Sequence, residues 1–511
     1  MLRLKSAFYL LIPVFFLNCS TEEVNPLEEL ENSDSDNSTK LIYSWEAPFN
    51  LTDSDTPANV VTKLQQAIDH AHTSNKKLIV EKGSYVINGQ ITFPSNIDID
   101  FSGAEFKRES GTSTGDIFDM FTNDDHVNGN SDISISNLTI DGNKDVDNLT
   151  PTNAGHRFSG LALSKVSNST LKNITVNNTT NGEAQFDIQS QNPASAIFFT
   201  NNCYNINCYE LNAYHNDLTG ININNSQKIR IYGSITSDNG GSGIGSRNAD
   251  FCEFQNIISF NNGFTSHLTD AFSNVSVNGE NCKVNNVTTY NCTGSGLNIG
   301  HDNTNAKADF TIVDNVESYE NGISGISVVG SKHILLSNIN LHNNKSDNLI
   351  IKDNSSKVQV NNAIVWGYYN KNNEIIGKYG IRIESGGGHN INNATIYDNF
   401  YNGIGVINVT GGVSIGSEVF IYNNGRADEF NAPTGNPNHK SSGIRIDNSN
   451  RCFVNGTKIF SDEPSGQISQ DYGIEIIGGN QHRITYPEIW GNALNDIEVN
   501  SSGDDIKILR F

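Results

Sequence analysis

Methionine and tryptophan are nearly absent from this 511-residue chain, with 2 and 3 residues, and only 17% of positions are charged. Cations are scarce as well: 33 lysines and arginines stand against 56 aspartates and glutamates, a formal net charge of −23. So acidic a chain would repel phosphates, which argues against nucleic acid as a partner. The 7 cysteines contain no zinc-like CxxC pairing, and no Asp-rich calcium loop is evident. The apolar run from Ala7 to Leu17 falls well short of the roughly 20 residues that hold a helix in a bilayer. Glycine is the abundant residue, at 45, in keeping with many tight turns.

The chain is organised around Thr219 to Asn402, where lines such as SGLNIGHDN, SGISVVGSK, DNLIIKDNS and YGIRIESGG restart about every two dozen residues. A fixed period in this range marks a solenoid. Within each repeat apolar and polar residues alternate, as at Ile221/Ile223, Leu297/Ile299, Ile326/Val328, Leu349/Ile351 and Ile381/Ile383. Period two means strand, with these side chains on one face. A second alternating run follows (Ile229/Ile231, Phe254/Ile257, Ile334/Leu336), often a third, and then an Asn-closed turn such as SFNN, SYEN or LHNN. Three short strands per turn, restarting in register, give an all-β, right-handed parallel β-helix with an asparagine ladder at one corner.

Arg3 and Lys5 before the short apolar run read as an export signal. Cys19 directly after it resembles a bacterial lipoprotein cleavage site, although Phe16 and Asn18 depart from the usual residues there. The expectation is therefore a lipidated Cys19 on the outer membrane, or a secreted protein. Residues 20–50 are acidic and poor in aromatics at their start and read as a disordered tether, which leaves 51–511 as the catalytic domain. A helix should open that domain, with Thr56 as N-cap, Pro57 in the first turn and Val60, Val61, Leu64, Ala67, Ile68 and Ala71 as its apolar stripe. Coils are expected from about Asp132. Aligning the repeats superposes Cys252, Cys282 and Cys452 on one inward column, as stacked thiols or as a Cys252–Cys282 disulfide.

An amphipathic helix, a strand, then "GSY" and another strand resembles the N-terminal cap of the pectin-lyase-like β-helix superfamily, over residues 55–505. That resemblance implies an enzyme acting on polysaccharide in a groove along the outward face of the first strands, most simply as a monomer. The column there is read as Asn222/Asn224, Gly245/Arg247, Ser273, Asn298/Gly300, Ser327, Ile350/Lys352, Arg382/Glu384 and Arg445/Asp447. Cations on one face of an acidic chain suit an anionic sugar polymer. Motifs of named subfamilies do not decide among them. The GHD at Gly300–Asp302 and IKD at Ile351–Asp353 only partly match polygalacturonases, and the DPHE of alginate epimerases and the E-x-D of iota-carrageenases are absent.

Titratable residues gather near that face: His215 and Asp217, His267 and Asp270, His301 and Asp302. A β-eliminating lyase would use His267 as base, Arg247 to neutralise the uronate and Asp270 to orient either, with calcium as an optional cofactor. His215, Asn222, Asn298, His301, Lys352, Arg382 and Glu384 would hold substrate. An inverting hydrolase would instead pair Asp217 with Asp270, two coils apart. An epimerase, or a solenoid that only binds glycans, are the further alternatives.

Overall fold

Ile221 pairs with Ile244, Ile244 with Val275, Val275 with Leu297, Leu297 with Ile326, Ile326 with Leu349 and Leu349 with Ile381, each pair parallel and in register. Such rows extend through the computed structural model, which describes residues 42–44, 51–52, 54–110, 117–144, 157–180, 195–264, 272–301, 307–367, 370–371, 374–375, 379–425, 441–462, 470–500 and 505–509. Thirty-seven strands form one sheet wound on itself, and every pairing in it is parallel. This is the parallel β-helix expected. One small antiparallel pair, Asn370–Lys371 with Glu374–Ile375, lies apart from it.

Backbone pairing between coils satisfies the ladder groups, and the inward residues are buried except toward the C-terminal end, where Ile489, Ile497 and Ile508 are only partly covered. Each such Ile, Leu or Val contributes about 2 kcal/mol of burial. Helix α1, Pro57–Thr73, covers the N-terminal end: Thr56 caps it by accepting from the Asn59 amide, and Val60, Leu64, Ala67, Ile68 and Ala71 turn inward.

Asparagine makes the corners. Asn256, Asn286, Asn315, Asn338, Asn362 and Asn393 all have φ between 45° and 56°, a left-handed conformation that asparagine tolerates better than most residues. Deeper in, a second ladder runs amide to amide through Asn216, Asn239, Asn262, Asn274, Asn321, Asn344, Asn348, Asn399 and Asn424, at 2.8–3.2 Å. Where the repeat offers Cys292 instead of asparagine, Asn274 from the start of the preceding strand fills the gap, and Asn348 does the same beside Gly367. On the outside, Phe260, Tyr290, Tyr319, His342, Trp366, Tyr397, Tyr422, Phe460 and Trp490 stack ring on ring at 4.6–5.9 Å.

Several expectations change. The tether was expected to reach residue 50, yet Ile42–Ser44 pairs with Lys77–Ile79 and belongs to the sheet. Stacking begins there rather than near Asp132, because the strands of the cap are themselves rungs: Leu78 pairs with Ile99 and Ile99 with Ile135. Cys252 and Cys282 are buried free thiols, as is Cys452, so no disulfide joins the column. Cys19 lies outside the described residues. Among the described residues no helix is long and apolar enough to cross a membrane.

Candidate functional site

The outward mid-strand residues form a continuous row: Asn222, Gly245, Ser276, Asn298, Ser327, Ile350, Arg382, Gly405, Arg445 and Glu475. It differs from the sequence reading in two places. The irregular coil contributes Ser276 rather than Ser273, because its strand is Val275–Val277 and the preceding Asn274 is drawn into the asparagine ladder. A further coil, through Gly405, separates Arg382 from Arg445.

From Asn222 to Arg382 this row is the floor of a groove of about 600 Å³. Its side chains are mostly small, and six coil steps of about 4.8 Å make it roughly 29 Å long. Where each chain segment enters its first strand, Phe272, Ile323 and Ser346 form one rim; where the segments leave, Arg247, His301, Lys352 and Glu384 form the other. Gly300, two rows from Arg247 and two from Lys352, marks the middle, and His301 follows it. The groove thus places Arg247, His301, Asn222, Asn298, Lys352, Arg382 and Glu384 together.

The electrostatics are uneven along its length. Arg247 is exposed and has no carboxylate partner among the described residues. Lys352 is 3.3 Å from Asp353. Arg382 is committed on two sides, 2.7 Å from Asp347 and 2.9 Å from Glu384, with its Nε left without a partner. Arg445 is held likewise, 3.2 Å from Asp447 and 3.3 Å from Glu475. Between these arginines the ring of Tyr379 lies over Gly405, in the space a larger residue would fill. Burial pushes the Tyr379 phenol up, against the pull of both guanidinium groups. The cations not tied to a buried carboxylate are therefore Arg247 and Lys352, while the far end is an ion-pair cluster around Asp347 and Glu475.

Two expected residues fall elsewhere. The carboxylate of Asp217 is buried at the corner before its strand, 2.8 Å from Lys144 Nζ and accepting from Thr180 Oγ1 at 2.6 Å. It is structural, not a groove carboxylate, so the Asp217–Asp270 pair is not formed from its side. His215 occupies a turn at φ 56° with its ring edge-on to Tyr214, and does not line the groove. His267, Asp270 and Asp302 lie outside the described residues. Among the described residues no cluster of His, Cys, Asp and Glu is placed to hold a metal ion.

The sequence reading missed three serines of the entry rim, Ser242, Ser295 and Ser324, and put Ser273, the fourth, on the floor of the groove rather than at that rim. Their signal was the recurrent SGI or SGL that opens each coil, read there only as the start of a repeat. Asp347 and Tyr379 occupy the same column further along and were missed as well.

No family model matches the chain, and no curated protein matches it. Among solved structures, the A-module of the Azotobacter vinelandii mannuronan C-5 epimerase AlgE6 is similar at a TM-score of 0.45 and 13% identity, over 86% of this chain and 94% of that one. The N-terminal fragment of bacteriophage Phi29 gene product 12 is similar at 0.47 and 15%, over 89% and 91%. PfbA, a surface adhesin of Streptococcus pneumoniae, is similar at 0.34 and 12%, over 86% and 89%.

Proposed function

We propose that the groove binds an acidic polysaccharide along the helix axis and that the protein cleaves it there by β-elimination. The observation that carries this is the sign of the lining: on a chain of net charge −23, Arg247 and Lys352 line the groove in addition to the Arg382–Glu384 pair, which holds the one carboxylate among the described lining residues. A uronate in the middle rows would lie beside His301. The imidazole takes the C5 proton, the C4–O4 bond breaks to leave a C4–C5 double bond, and water protonates the departing oxygen, the hydroxide left behind taking the proton back from the imidazolium. Arg247 neutralises the carboxylate on which charge builds as the C5 proton leaves. His267 and Asp270, next in sequence to the rim residues Phe272 and Ser273, are proposed as further contributors. Hydrolysis needs two carboxyl groups flanking the bond, and Glu384 is the only carboxylate among the described lining residues.

Purified protein incubated with uronic-acid polysaccharides should generate the ultraviolet absorbance of an unsaturated uronate. New reducing ends without that absorbance would mean hydrolysis and would refute the elimination step. Export through a lipidated Cys19 is proposed with it, on the N-terminal motif alone. Fatty-acid labelling that persists in Cys19→Ala would refute that part.

A further inference from the structure

The floor of the groove carries one hydrocarbon side chain. From Asn222 toward Arg382 the outward row reads asparagine, glycine, serine, asparagine and serine, then Ile350. Val329 stands beside it at the exit rim, in line with Gly300 and Lys352. Ile323 stands at the entry rim, its carbonyl accepting from the Ser346 amide at 2.6 Å. All three line the groove and fall in two adjacent coils, so an apolar belt crosses it from rim to rim.

The fold does not account for this belt. Val329 and Ile350 are only 3% and 5% exposed, yet both lie in outward columns and neither belongs to the continuous core inside the helix. Ile323 is 40% exposed on its rim. The coils on either side place Ser327 and Arg382 at the position of Ile350, so the strand does not demand a hydrocarbon there. Polar groups resume at once in both directions: Asn298 and His301 in the coil before the belt, Lys352 beside Ile350, and Arg382 in the coil after it.

We propose that the belt is a subsite for a methyl group, carried by the acidic polysaccharide on the unit next to the one beside His301. This rests on the reading of the groove as a polysaccharide site and narrows the substrate. A sugar hydroxyl or carboxylate pressed against three hydrocarbon side chains gives up water without gaining a hydrogen bond. A methyl group leaves water for the same place at a gain. Two kinds of acidic polymer supply one: a copolymer of uronate with a 6-deoxyhexose, whose C6 is the methyl, and a polyuronate with O-acetylated hydroxyls. Both keep their carboxylates for Arg247 and Lys352. A methyl ester does not suit the site, because it removes the charge those cations attract.

Affinity electrophoresis tests this, through gels holding a plain polyuronate, the same polymer O-acetylated, or a copolymer of uronate and 6-deoxyhexose. One of the two methyl-bearing polymers should bind at least about tenfold more tightly than the plain one, the size of one methyl group in a hydrophobic pocket. Which of them does so identifies the source of the methyl. In the double variant Ile323→Ser, Ile350→Thr that advantage should fall to near parity, with binding of the plain polyuronate unchanged. Threonine keeps the β-branched shape that suits a strand, and Ile323→Ser alone, on the exposed rim, should show part of the same loss. Equal binding of all three polymers, or an advantage undiminished in both variants, overturns the subsite and leaves the groove's function standing. Failure of every acidic polymer to bind overturns both.

Discussion

The guanidinium of Arg382 stands 2.7 Å from the carboxylate of Asp347, a side chain with no solvent exposure. Removing one member of a buried pair leaves the other charged and unsolvated, which typically costs about 3–5 kcal/mol. Arg382→Ala should therefore lower the urea midpoint substantially. The double variant Arg382→Ala, Asp347→Ser, which continues the serine column, should recover much of the loss. A single variant as stable as wild type would show that Arg382 serves substrate rather than the fold.

Catalysis should separate from binding along the groove. His301→Ala and Arg247→Ala should each reduce turnover by about a hundredfold or more, the order expected for a lost base or electrostatic stabiliser. Lys352→Ala should mainly raise KM and soften its dependence on salt. Parallel measurement of His267→Ala and Asp270→Asn decides between bases: full loss there with His301→Ala active moves the proton abstraction to His267.

Acid sensitivity has an identifiable source. Burial pulls His389 and His482 below the ordinary value of 6.5, each ring occupying an inward position and contacting only backbone, at Val358 N and Ser385 O or Cys452 N and Gly478 O. His342, sandwiched in the aromatic stack, is lowered by burial too, with Glu317 working against the shift. A depressed folded-state pKa means the unfolded chain binds the proton first. Stability is thus retained above about pH 6.5 and lost as pH falls below it toward the folded-state values. Unfolding midpoints between pH 7.5 and 5 should drop less in the double variant His389→Val, His482→Val than in wild type; valine is the residue on either side of His389, at Val358 and Val413, and Cys452 is the neighbour of His482.

The asparagine ladder should be as costly to interrupt as its burial suggests. Asn321 accepts from Asn274 and donates to Asn344, both bonds shut away from water. Asn321→Ala strands a donor and an acceptor, which should cost about 2–4 kcal/mol by chemical denaturation. An effect below that of a surface Asn→Ala such as Asn286→Ala would mean that water enters the corner.

Much of the architecture was legible because alternation and period are local. Ile221/Ile223 and their counterparts announce which face is inside, and the asparagine turns announce a corner. The reading slipped at Ser273–Val277, where register is set by the Asn274 side chain filling the gap that Cys292, 18 residues later, leaves between Asn262 and Asn321. Asp217 was misread for a related reason. Its neighbourhood in the chain looks like a site, but its partner is Lys144, 73 residues earlier, and nothing in a run of alternating residues announces that contact. The groove's floor residues Asn222, Gly245, Asn298 and Ser327 were legible from alternation, whereas the rim serines Ser242, Ser295 and Ser324 were overlooked because they stand before the alternating run of each strand begins.

The constancy of the step between coils bears on how such a molecule can change. Ile221 lies against Ile244, and Asn216, Asn239 and Asn262 follow one another at a spacing of 23 residues. Excising Ile221–Gly243 would join Gly220 to Ile244 and bring together surfaces that each already fit the piece removed. The inner amides would close up, the hydrophobic rows would meet their next neighbours, and the groove would be one row shorter. Gains and losses in whole coils are thus nearly neutral to the core, whereas a one-residue deletion inside a strand would turn the side chains beyond it to the wrong face. Lineages carrying this plan are free to lengthen or shorten the binding surface in quantised steps without re-inventing what holds it together.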